Sequence, residues 1–130
     1  MKRVNKIFFA LLILGILGLS TSEARGAGRP FLAPLTGTVG VQMEEFVMKV
    51  IRWAEEERAG LVIFRLDTPG GLVEATRGIT QAILASKVPV TIWVPPGGRA
   101  ASAGAFIMQS AHVAAMASGT NIGADRKSVV

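Results

Sequence analysis

Between Leu61 and Val94 the hydrophobic period changes twice, and this double change restricts the fold more than any other feature of the chain. Leu61-Val-Ile-Phe-Arg-Leu66 is almost continuously apolar, the pattern of a strand covered on both faces. Asp67-Thr-Pro-Gly-Gly71 breaks the run with turn-forming residues. Leu72, Ala75, Ile79, Ala82, Ile83 and Ser86 then recur at steps of three and four, one face of a helix, and Val88 to Val94 is a second β-branched run. Strand, helix and strand joined by short connections form a right-handed crossover between parallel neighbours. The chain is therefore of the α/β class, with a parallel sheet built from βαβ units.

The flanks extend this pattern. Thr38 to Gln42 alternates weakly and predicts a first strand. Met43, Phe46, Val47, Val50, Ile51 and Ala54 predict an amphipathic helix ending near Gly60, with Glu45–Lys49 and Arg52–Glu56 at helical spacing on its solvated face. Residues 25–37 are rich in Gly, Pro and Arg and predict a lead-in without a regular element. Beyond Val94, Pro95-Pro-Gly-Gly-Arg99 closes the strand, a small-residue helix is predicted from about Ala101 to Ser110, and His112 to Met116 reads as a short strand. Gly119-Thr-Asn-Ile-Gly123 reads as a loop. Residues 38–124 thus read as one domain, or part of one, without internal repeats.

Met1 to Lys6 carries Lys2, Arg3 and Lys6, Ile7 to Leu19 is an apolar run of 13 residues, and small and polar residues follow. This is the order of a secretory signal, and the run is shorter than the roughly 20 residues a spanning helix needs. A cleaved signal is favoured over a retained anchor, with cleavage expected after Ala24 and Gly26 as the alternative, which makes 1–24 a signal peptide and places the remainder on the extracytoplasmic side. The formal charge of +5 then loses three cations and Glu23, and the +3 that remains is too scattered to argue for nucleic acid. With no cysteine, disulfides and thiolate chemistry are excluded.

Two segments carry chemistry. Open parallel sheets bind ligands beyond the carboxyl ends of their strands, and both Asp67-Thr-Pro-Gly-Gly71 and Arg99-Ala-Ala-Ser-Ala-Gly-Ala-Phe106 fall there. Ser102 at a helix start is a candidate nucleophile. Gly70 and Gly71 let the backbone approach a bound group closely, and the Ala103 amide is the natural second donor to an oxyanion. Spacing alone explains the same residues without chemistry, as a turn and a helix N-cap. Ala100 stands where a nucleophile elbow of the α/β-hydrolase kind needs glycine, which disfavours that fold. His112, the sole histidine, has a structural default. Arg99, Thr120 and Asn121 are weaker candidates for substrate contacts, with a solvated arginine and loop stabilisation as the plainer accounts. There is no Walker pattern and no cluster of metal ligands, so neither cofactor nor metal is expected.

Leu66-Asp-Thr-Pro-Gly-Gly-Leu72, Arg99-Ala-Ala-Ser-Ala-Gly-Ala-Phe-Ile107 and Gly119-Thr-Asn-Ile-Gly-Ala124, in this order, resemble the N-terminal protease domain of the NfeD membrane-bound serine proteases. The resemblance covers most of residues 35–124. It implies a ClpP/crotonase-like fold of ββα and βαβ units, incomplete at its C-terminal end. It implies Ser102 as the nucleophile, Gly71 with Gly70 beside it as the first oxyanion donor, and Ala103 as the second. It also implies a base lysine about forty residues beyond the serine, neutral through burial, which would fall after Val130.

The implied protein is a membrane-associated, oligomeric serine endopeptidase that cuts hydrophobic segments of a partner such as a stomatin-like membrane protein. As given, the chain is expected to be inactive, because the lysine is missing. After Ala124 relatives continue with a small residue, histidine and proline, whereas this chain reads Asp125-Arg-Lys-Ser-Val-Val130. One nucleotide spelling of that hexapeptide looks like a common sequencing adapter. Residues 125–130 are therefore read as a non-native tail, and Lys127 is not taken as the base. Two other classes stand beside this reading. A crotonase-like acyl-CoA enzyme would use the same glycine cradle for a thioester enolate, and a non-catalytic scaffold would keep the fold alone.

Overall fold

The computed structural model describes residues 28–124. The readings of 1–24 as a signal peptide and of 125–130 as a tail lie outside the described residues. The elements run β1 (Pro30–Thr36), α1 (Val41–Glu56), β2 (Leu61–Asp67), α2 (Val73–Ala85), β3 (Val90–Val94), β4 (Arg99–Ala101), α3 (Ala103–Ser110), β5 (Val113–Met116) and β6 (Asn121–Gly123). One sheet has the order β1-β2-β3-β5, parallel throughout, and β4 and β6 form a separate parallel pair. Each new strand of the larger sheet joins the same edge, so right-handed crossovers carry every helix to the same side. The α1–α2 and α2–α3 contacts are the result.

That one-sided arrangement corrects the expectation of a strand covered on both faces. In β2, Val62, Phe64 and Leu66 are buried against the helices, whereas Leu61 and Ile63 are half-buried and Arg65 is exposed. Register puts Leu32 of β1 beside Ile63, and Trp93 of β3 beside Arg65, on the uncovered face. An apolar strand sequence reports that both faces tolerate apolar side chains, not that both are covered within the described residues.

The first strand is also corrected. It lies at Pro30–Thr36, inside the segment read as a lead-in, and not at 38–42, where only Val39 makes an isolated bridge, to Gly71. The helix accordingly starts at Val41. Pro30 and Pro34 hid β1, but this strand is the sheet edge, where a missing N–H costs no ladder bond on the unpaired side. Phe31, Ala33 and Leu35 point inward, and Phe31 meets Trp53 of α1 edge-on at 4.9 Å between ring centroids. β4 and β6 were missed for another reason. Each spans only three residues, too few to show a period, and pairs only across the chain, Arg99 with Asn121 and Ala101 with Gly123. The segment read as the loop 119–123 therefore ends in a strand. The core joins Phe64, Leu66 and Ile92 of the sheet to Ile79 and Ile83 of α2 and Ile107 of α3, all fully buried. Each such side chain stabilises the fold by about 1.5–3 kcal/mol relative to exposure.

Candidate active site

The end of β2 is clamped to β4 by three backbone donors. Thr68 N–H donates to Arg99 O (2.8 Å), Ala101 N–H to Thr68 O (3.1 Å), and Arg99 N–H to Asp67 Oδ1 (3.2 Å). Thr68 is fully buried, and its Oγ1 accepts the Gly70 N–H at 3.1 Å. The other side of the turn is tied to the segment before α1. Val39 N–H donates to Gly70 O (2.9 Å) and Leu72 N–H to Val39 O (2.8 Å). Gly70 has φ +109°, a conformation that L side chains avoid, and Gly71 lies so close to the Val39 backbone that a Cβ would collide with it.

Ser102 joins β4 to α3 at φ +50° and ψ −111°, the mirror image of ordinary extended backbone. Such a conformation costs about 1–3 kcal/mol and persists only where the surroundings impose it. Here the Ser102 N–H donates to Gly123 O at 2.8 Å and the Ser102 carbonyl accepts from Ala105 N–H at 2.9 Å. The hydroxyl makes no capping bond to α3, and the residue is exposed, so the N-cap account is not the one realised. A Cβ at Gly70 would stand 2.8 Å from Ser102 Cβ and 3.3 Å from its Oγ. The serine and the glycine corner therefore face each other at contact distance.

The Gly71, Ala103 and Gly104 amides have no protein acceptor among the described residues. Gly70 differs, because its N–H is held by Thr68. Gly70 supplies the turn and the room beside Gly71, while the Gly71 and Ala103 N–H groups are free among the described residues. Gly104 lets α3 come close, since a Cβ there would lie 2.7 Å from Thr68 Cγ2. Two uncommitted amides beside an exposed hydroxyl, one of them opening a helix, are what an anionic tetrahedral intermediate needs.

A cavity of about 450 Å³ opens from this corner between α2 and α3, lined by Gly71, Val73, Ser102 and Ala103 where the two helices begin and by Arg77 and Phe106 a turn further along them. Arg99, Thr120 and Asn121 do not line it. Arg99 and Asn121 are register partners in the β4–β6 pair, and the Thr120 hydroxyl donates to Ala117 O at 2.7 Å, a loop bond. His112 accepts the Val90 N–H on Nδ1 at 3.1 Å while its own N–H donates to Val90 O at 3.0 Å, which locks β5 to β3. The described lysines, Lys49 and Lys87, do not line the cavity, and no cluster of metal-ligating side chains occurs among the described residues. No helix among them is long and apolar enough to cross a membrane. Sequence reasoning missed Thr68 and Gly123, which hold the corner through bonds to Gly70 and Ser102. Their only local signal was membership of turn-forming runs. It also did not single out Arg77 and Phe106, which line the cavity from α2 and α3.

Strand order, strained serine and glycine turn define a ClpP-like α/β domain. ClpP1 from Listeria monocytogenes superimposes with a TM-score of 0.57 at 26% identity, over 62% of this chain and 46% of that one. The family model for the NfeD1b N-terminal domain matches residues 30–128, and the chain belongs to that family. The membrane-bound protease PH1510 of Pyrococcus horikoshii is 43% identical over 97 residues, which are 74% of this chain. The 1510-N membrane-bound stomatin-specific protease, solved as a lysine-to-alanine mutant in complex with a substrate peptide, superimposes with a TM-score of 0.70 at 40% identity, over 73% of this chain and 44% of that one. The chain spans 22% of the length of PH1510.

Proposed function

We propose that residues 28–124 carry the nucleophile and oxyanion cradle of a membrane-associated serine endopeptidase. The observation behind this reading is the strained, uncapped Ser102 held in contact with Gly70, with the free Gly71 and Ala103 amides beside it. Ser102 Oγ attacks a peptide carbonyl, and the resulting oxyanion is stabilised by these two N–H groups. The serine's proton must go to a base and then to the leaving amine. Neither His112 nor a described lysine lines the cavity, and similarity to a protease solved as a lysine-to-alanine mutant with its substrate peptide supports a lysine as that base. Similarity to a stomatin-specific protease supports a hydrophobic segment of a stomatin-like membrane protein as substrate. The protein acts on the extracytoplasmic side. The uncovered sheet face, with Leu32 66% exposed, supports assembly as a homo-oligomer. An acyl-CoA enzyme of related fold has no use for a strained serine at this corner, and a scaffold has no reason to retain one.

The test is labelling by a fluorophosphonate serine probe in a version of the protein that includes the lysine. Labelling of the parent and none of Ser102→Ala is expected, and equal labelling of the two would remove the peptidase reading.

A further inference from the structure

The cavity beside Ser102 is larger than the nucleophile needs, and its lining is chemically lopsided. Thr76, Thr80 and Ser110 contribute hydroxyls to it, but each donates back to a carbonyl of its own helix: Thr76 to Leu72 O (2.7 Å), Thr80 to Arg77 O (2.9 Å) and Ser110 to Ile107 O (2.8 Å). Their O–H donors are thus committed within the helices, and their methyl and methylene groups extend the apolar walls formed by Val73 and Phe106. The one formal charge on the lining is Arg77. Its sole ion pair among the described residues is with Glu74, at 3.8 Å between two side chains 63% and 82% exposed, and a pair so solvated holds an arginine weakly. The guanidinium is therefore available to a bound group.

Its position along the groove can be counted. Val73 opens α2 two residues after Gly71, and the cavity follows α2 through Arg77, Thr80 and Leu84; Arg77 lies one helical turn beyond Val73, about 6 Å of rise, and an extended peptide advances about 3.3 Å per residue. A chain lying in the groove with its reacting carbonyl at Ser102 brings its second residue from that bond level with Arg77.

We propose that the α2–α3 groove selects the residues on one side of the scissile bond, and that Arg77 gives it a preference for an acidic side chain two residues from that bond, between apolar neighbours. The occupant is an extended substrate segment, apolar where it meets Val73 and Phe106 and carrying one carboxylate. This inference rests on the peptidase reading and adds the substrate feature it recognises.

Binding and cleavage separate the two claims. Fluorescence anisotropy on the Ser102→Ala form of a version that includes the lysine would use apolar peptides bearing Asp, Asn or Lys at the scanned position. Asp peptides are expected to bind more tightly than Asn, and Asn than Lys, by about threefold per step at low salt, with the order fading as salt is raised. Arg77→Glu should invert the order and Arg77→Gln should flatten it. Both replacements fall on an exposed side chain, and an unchanged melting temperature verifies the fold. With Ser102 intact, mass spectrometry of the products should place the acidic residue two positions from the cut. An order unaffected by Arg77→Glu, or cleavage indifferent to the acid's position, overturns the inference. Charge-ordered binding with no cleavage of any peptide would keep the Arg77 preference and overturn the peptidase reading together with the placement relative to a cut.

Discussion

On the helix-covered face of the sheet, Val62 and Phe64 lie in register with Val90 and Ile92, and these four, with Leu66 and Val94, are fully buried. At the corner one residue beyond the end of β2, Thr68, Gly70, Gly71 and Ser102 are held by main-chain hydrogen bonds and by the absence of side chains. The face is redundant: many interchangeable apolar groups share the load, and loss of one leaves a cavity but keeps the architecture. The corner has no such spare capacity. One methyl at Gly70 would occupy the space of Ser102, and one lost hydroxyl at Thr68 frees the turn. Stability is thus concentrated on the covered face, and geometry, with its strain, is concentrated at the corner.

Four substitutions test that contrast. Phe64→Ala, in the middle of the covered face, should cost about 3–5 kcal/mol in urea unfolding, the largest loss here. Gly70→Ala should cost about 2–3 kcal/mol, from a positive φ and overpacking against Ser102, and should abolish probe labelling. A Gly70→Ala protein that labels normally would show that the corner has slack. Thr68→Val keeps the shape but leaves the Gly70 N–H without its acceptor. A loss of about 1–2 kcal/mol and slower labelling are expected, with both restored in Thr68→Ser. Ser102→Gly should raise stability by about 1 kcal/mol while eliminating labelling, because glycine adopts the mirror-image backbone without strain. A lower melting temperature for Ser102→Gly would mean that the serine conformation stores no strain.

Much of the larger sheet was legible before any coordinates, because its signals are local and repeated. The α1 and α2 stripes, the β2 and β3 runs and the breaks at Asp67 and Pro95 all predicted elements close to those observed. β1 was not legible, since its prolines obeyed a rule for central strands whose exception depends on being at the edge. Ser102, Gly71 and Ala103 were placed at the ends of strands by pattern and resemblance together. The bond from the Gly70 amide to the Thr68 hydroxyl was not legible, because it is a contact that no period reports. Arg99, Thr120 and Asn121 followed motif adjacency, and folding turned them toward the β4–β6 pair and its loop.

By itself, the sequence determined the α/β class, the succession of strand, helix and turn, and the residue types able to do chemistry, since period and turn propensity act over a few neighbouring positions. Only the tertiary structure decided which amides remained unpaired, which face of the sheet stayed open, and that Arg77 shares a groove with Ser102. Those outcomes depend on which distant groups meet in space, and hydrogen-bond donors, once claimed by one partner, are not available to another.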